Sequence, residues 1–132
     1  ADPLHVYGRA ALRHRRGLSA EALATLDSLD ADLPPAHALA DESLYLRASV
    51  LLERGEPAEA VAVLDALLSQ QPMSFFLDRA LRLQARTYEG ELSDPATAAE
   101  RYDRLLERFP GSPLAPEARE ALRRLRATLG AS

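Results

Sequence analysis

The chain has 132 residues, 47% of them apolar, and a formal net charge of −4, enough for a modest core in one domain. Cysteine is absent, which excludes disulfides, thiolate metal sites and a cysteine nucleophile; the mild acidity disfavours a dedicated nucleic-acid binder. Aromatics are only 5%, isoleucine and tryptophan are missing, and Ala, Leu, Glu and Arg prevail, so an all-α chain is expected.

All 16 basic residues are arginine and asparagine is missing, the usage expected of a GC-rich bacterial gene. No apolar run approaches the roughly 20 residues of a membrane span, so no membrane insertion is expected. The chain begins at Ala1 rather than methionine, as a processed protein or an excised piece of a longer one would.

In chain order, the apolar spacing predicts helices near 4–15, 20–31, 38–53, 57–70, 75–89, 95–108 and 113–128. Ser19 is placed to cap the second helix, and Pro57 and Pro95 suit a first helical position. Gly17 and Gly55 suit the turn after a first helix, where a left-handed residue is wanted.

These helices fall into a repeat. Pro34, Pro72 and Pro110 are spaced by 38, as are Ala22, Ala60 and Ala98, then Leu26, Leu64 and Tyr102, then Leu29, Leu67 and Leu105. Ahead of them Ala10, Ala48 and Ala85 recur at 38 and 37. Each unit therefore reads as an antiparallel helix pair, A then B, with small residues where the two cross. A lone hairpin cannot bury its apolar face, so stacking neighbours makes the core.

With Ala48, Ala60, Leu64 and Pro72 in place, and Leu44 and Leu51 as large apolar residues of helix A, the chain resembles a tetratricopeptide repeat (TPR) array. The third unit matches through Leu81, Ala85, Tyr88, Ala98, Tyr102 and Pro110, with one residue inserted between the alanines. Departures are the absent tryptophan, leucine at positions 29, 67 and 105, a pitch of 38, and Arg13 where an apolar residue belongs. The resemblance implies an all-α, right-handed superhelix in a single domain over 3–132: repeats at about 3–37, 38–74 and 75–112, then a capping helix at 113–129. Residues 109–118, Phe-Pro-Gly-Ser-Pro-Leu-Ala-Pro-Glu-Ala, are also similar to repeats of the bacterial cell-envelope type, in the Tol–Pal coordinator and outer-membrane assembly lipoprotein families.

Enzyme chemistry finds no foothold. His5, His14 and His37 share no metal-site spacing, and no HExxH, nucleophile elbow, Walker loop or dinucleotide fingerprint occurs. Neither a cofactor nor a metal is expected. The resemblance implies instead a non-catalytic interaction module or scaffold, periplasmic or cytoplasmic, whose concave groove takes a peptide or helix of another protein.

Carried over by position, the groove residues are Tyr7, Ala11 and His14, then Glu42, Tyr45, Ser49 and Leu52, then Arg79, Arg82, Arg86 and Glu89. In the last helix Ala118, Leu122, Leu125 and Leu129 form the apolar stripe, which puts Arg119, Arg123 and Arg126 on the groove face. Two arginine rows would receive an acidic segment, unless Asp78, Glu89 and Glu120 neutralise them along the helix. The well-known TPR clamp for C-terminal carboxylates uses lysine and asparagine, which this chain lacks. The alternative is a structural role, self-association through the apolar joint at Phe75 and Phe76, aromatics that would otherwise fill the space left by the long pitch. A homo-oligomer is its expected product.

The register makes a direct prediction. Ala60→Leu should overpack the second hairpin and cost about 1–3 kcal/mol; a chemical-denaturation midpoint equal to wild type would contradict it.

Overall fold

The computed structural model describes residues 2–34 and 36–130. Seven helices run in order: α1 (Pro3–Arg15), α2 (Ser19–Asp32), α3 (Ala40–Glu53), α4 (Pro57–Gln70), α5 (Leu77–Glu89), α6 (Pro95–Arg108) and α7 (Ala115–Gly130). No strand occurs among the described residues. The chain divides into two compact bodies, 1–74 and 75–132, at the boundary between the second and third repeats. The N-terminal body holds the hairpins α1–α2 and α3–α4, and the C-terminal body holds α5–α6 with α7 packed on α6.

The alanine register is buried in every hairpin. Ala10, Ala22, Ala48, Ala60, Ala85 and Ala98 are all 0% exposed. Leu26, Leu64 and Tyr102, and likewise Leu29, Leu67 and Leu105, are buried on the B helices. In the N-terminal body, Leu26 and Leu29 of α2 join Val6 and Ala10 of α1 and Leu46 and Val50 of α3 in one apolar cluster.

Local chemistry explains how each hairpin turns. After α1, Gly17 takes φ +75°, its N–H bonds the His14 carbonyl at 3.0 Å and the Leu18 N–H reaches back to Arg13 at 2.8 Å. Gly55 repeats this at φ +76°, through Gly55 to Leu52 and Glu56 to Leu51. This double closure satisfies helix-end carbonyls that would otherwise be orphaned. The extra residue of the third hairpin changes the solution. Gly90 has an ordinary negative φ, and the left-handed residue is Ser93, φ +48°.

Ser19 does not cap α2. Leu18 is the N-cap, with no side-chain bond, because the closure onto Arg13 sends the chain straight into the helix with Ser19 as its first residue. Side-chain caps occur instead at Asp2, which accepts from the Leu4 N–H, and at Asp94, which accepts from the Thr97 N–H. Arg13 keeps its place among apolar neighbours by donating to the buried Thr25 hydroxyl, which in turn donates to the Glu21 carbonyl at 2.7 Å.

Helices α3, α5 and α7 begin two residues later than the apolar pattern predicts. The residues before them are turns, and before α5 and α7 each turn is tied to its own body by a serine. Ser74 Oγ donates to Asp41 at 2.6 Å and Ser112 Oγ donates to Asp78 at 2.6 Å. Each aspartate also accepts the next backbone N–H, from Glu42 and Arg79 respectively. The long pitch is therefore taken up by a polar latch. Phe75 does not fill that space, being 94% exposed, and Phe76 is half-buried beneath the Arg79 guanidinium, 5.0 Å from its ring.

The turn analysis yields a paired prediction. Ser93→Gly should stabilise the protein by up to about 1 kcal/mol by removing left-handed strain, whereas Gly55→Ala should destabilise it by about 1–2 kcal/mol. Thermal unfolding of the two variants checks both signs.

Candidate functional site

In the C-terminal body, α5 and α7 flank α6 and enclose an open cleft of about 650 Å³ lined by Arg86, Glu89 and Gly90 from the α5 end, Tyr102, and Glu117, Glu120, Ala121 and Arg124 of α7. Tyr102 stands where the other two repeats carry Leu26 and Leu64, so its ring continues the core while its hydroxyl end meets the cleft. Burial pushes its phenol above the ordinary value; Glu89 and Glu117 add to the rise and Arg86 and Arg124 oppose it.

Most of the charge around the cleft is paired across helices. Arg82 donates to Glu117 at 3.2 Å. Arg124 forks onto Glu89, one bond being 3.1 Å, and this contact holds the guanidinium above its ordinary value. These two pairs tie α5 to α7. Arg123 pairs with Glu120 along α7, and Arg126 turns to Asp103 of α6 at 3.5 Å. Arg86 is exposed on the rim and has no carboxylate partner among the described residues. Among the described residues it is the cleft arginine that no carboxylate pairs, Arg124 being held by Glu89.

The expected arginine rows are thus distributed differently on the two helices. On α5, Arg79 stacks on Phe76, Arg82 is paired and Arg86 lines the cleft. On α7, Arg119, Arg123 and Arg126 are exposed and none of them lines the cleft; Arg124, on the α5-facing side, does. Neutralisation along α5 does not occur as the spacing allowed. Asp78 is engaged by Ser112 and Glu89 by Arg124, leaving Arg82 to α7 and Arg86 without a carboxylate among the described residues. The buried Gln84 of α5 is met by Arg101 of α6 at 2.8 Å.

In the N-terminal body, α1 and α3 lie side by side. Tyr7 and Tyr45 are both half-buried, and Tyr7 sits near the first turn of α3. Burial raises its phenol above the ordinary value, with Glu42 and Asp41 adding to the rise. His14 Nδ1 stands 2.8 Å from Glu53 Oε2 but off the line a hydrogen bond requires, so the pair attracts by charge when the ring is protonated. Ala11, Ser49 and Leu52 are half-buried on the same two helices.

The repeat places Tyr102 in a core column and does not show that it also lines the cleft. The available signal was a phenol in a column of leucines. Arg124 stands one pitch of 38 after Arg86, but that spacing does not reveal its pairing with Glu89, nor that of Glu117 with Arg82.

A tetratricopeptide repeat family model matches residues 42–74 and 79–112, just over half of the chain. The chain belongs to the tetratricopeptide repeat family. Each matched span runs from the first turn of an A helix to the latching serine, Ser74 or Ser112. The repeats of this family mediate protein–protein interaction and scaffolding, and such proteins are typically non-catalytic. No curated protein matches the chain. Among the described residues, no group of three His, Asp or Glu side chains could hold a metal ion, and no helix is long and apolar enough to cross a membrane.

The electrostatics of Tyr102 predict an alkaline weakness. Because its folded-state value is raised, the protonated phenol favours the fold. That contribution is complete below the ordinary tyrosine value and is lost as pH rises through the raised one. Tyr102→Phe should therefore show a shallower fall of Tm in this alkaline range than wild type, measured by calorimetry across pH.

Proposed function

We propose that this TPR chain is a non-catalytic interaction module and that its C-terminal body receives an acidic peptide or helix of a partner protein in the α5–α7 cleft. The observation that carries the reading is Arg86, an exposed cation with no carboxylate partner beside the buried Tyr102, on the wall of a cleft large enough for side chains. A partner carboxylate would engage Arg86, with the Tyr102 hydroxyl as a neighbouring donor. Arg82 and Arg124 hold the walls through their pairs with Glu117 and Glu89. In the N-terminal body, Tyr7 and Tyr45 offer the corresponding contact surface, since phenols give large, rigid contact area with a polar tip. The similarity of residues 109–118 to cell-envelope repeats makes a bacterial envelope assembly the setting of this reading.

The competing reading is self-association, favoured by one observation: Phe75 lies 94% exposed. Light scattering across concentration separates the two. A dimer dissolved by Phe75→Asp and unaffected by Arg86→Glu supports self-association.

The cleft reading predicts that a partner captured from fractionated bacterial lysate by wild type is lost by Arg86→Glu with circular dichroism unchanged. Arg86 is the cleaner substitution, because reversing Arg82 or Arg124 would also break an α5–α7 pair. Equal capture by wild type and Arg86→Glu would overturn the reading.

A further inference from the structure

The repeat register points to a second surface, on α1 and away from the cleft. In α3 the face packed on α2 consists of Ser43, Leu46, Arg47 and Val50. Ser43 Oγ donates to Asp30 at 2.7 Å, and Arg47 reaches both Asp27 and Asp30 at 2.8 Å. Leu46 and Val50 pack with Leu26 and Leu29 between these polar contacts. One repeat of 38 earlier, α1 carries His5, Gly8, Arg9 and Leu12 in the same places.

Nothing among the described residues covers that face. His5, Gly8 and Arg9 are exposed, Leu12 is 38% exposed and the neighbouring Leu4 63%. A Cβ built on Gly8 would meet nothing within 4 Å. Arg9 has no carboxylate partner among the described residues. The helix Pro3–Arg15 contains no acidic residue, although the whole chain carries a net charge of −4. Its exposed cations, Arg9 and Arg15, continue into Arg16 just beyond its end.

We propose that this face of α1 docks an acidic amphipathic helix of another protein, seated as α2 seats on α3. Two carboxylates one turn apart would be held by Arg9 and His5, and two leucine-sized side chains would lie over Gly8 and Leu12. The template is the α2 stretch Leu26-Asp27-Ser28-Leu29-Asp30. Charge complementarity sets the sign of the partner, and the open strip at Gly8 lets its backbone approach closely. A second copy is a poor occupant. Among this chain's B helices only α2 has both carboxylates, and Ser43 and Arg47 already engage them.

The test uses the whole chain and a fluorescein-labelled peptide of the α2 sequence Ser19–Asp32, read by anisotropy, carrying Thr25→Lys with the new amine joined to the Glu21 carboxyl as a lactam that holds the helix. Saturable binding is expected. Arg9→Glu should weaken it at least about tenfold, the size of one charge-assisted contact, and so should a peptide with both template aspartates changed to asparagine. Gly8→Leu, which restores the leucine that α3 carries at position 46 under α2, should tighten it. Arg86→Glu should leave it unchanged, so this face and the cleft fail or survive separately. No saturable binding, or equal affinity in Arg9→Glu, would overturn the proposal. A concentration-dependent dimer in sedimentation that Arg9→Glu dissolves would overturn it as well, by giving the face to a second copy.

Discussion

Everything in this structure depends on how closely two helices can cross. The repeat register puts an alanine on each A and B helix where the two are expected to cross, and a methyl group there would let the backbones approach. The six alanines of the register are fully buried, so the interior offers no slack for a longer side chain. The leucines at the next turns of the B helices can then fill the space on either side of the crossing. Tyr102 does the same in the third hairpin while ending at the cleft.

The polar contacts follow from this frame. Once the hairpin geometry is set, carboxylates on one helix face cations on the next, as with Asp27 and Asp30 against Arg47, or Glu89 against Arg124. Such partly exposed pairs contribute little stability one by one, but they decide which cations stay free. Arg86 and Arg9 remain without carboxylate partners among the described residues, and on the two proposals above each would receive an acidic group of another molecule. The two surfaces differ in kind. The cleft is walled by α5 and α7, whereas the α1 face takes the register positions of the α3 face that packs on α2.

What was legible in the sequence was whatever repeats. The alanine and leucine columns, the prolines and the glycines at 17 and 55 each recur at fixed spacing and each has one dominant physical role, so hairpins and turns could be placed closely. The serine latch also recurs, in Pro72-x-Ser74 and Pro110-x-Ser112, but a serine in a turn has many uses and its partners Asp41 and Asp78 lie more than thirty residues away. Pairing on the site was harder still. Spacing along α5 permits Arg82 to meet Asp78 and Arg86 to meet Glu89, yet α7 and the latch compete for those groups and win. Helical periodicity reports neighbours on one helix; the site is made by neighbours on two.

The most direct test of this account is a nuclear Overhauser experiment on the protein labelled at alanine methyls. Cross-peaks should link Ala10 with Ala22, Ala48 with Ala60 and Ala85 with Ala98, one pair per hairpin, with the third pair preserved across its extra residue. Absence of these links in a folded sample, or links displaced by a helical turn, would contradict the close crossing on which the packing, the cleft and the free face of α1 all rest.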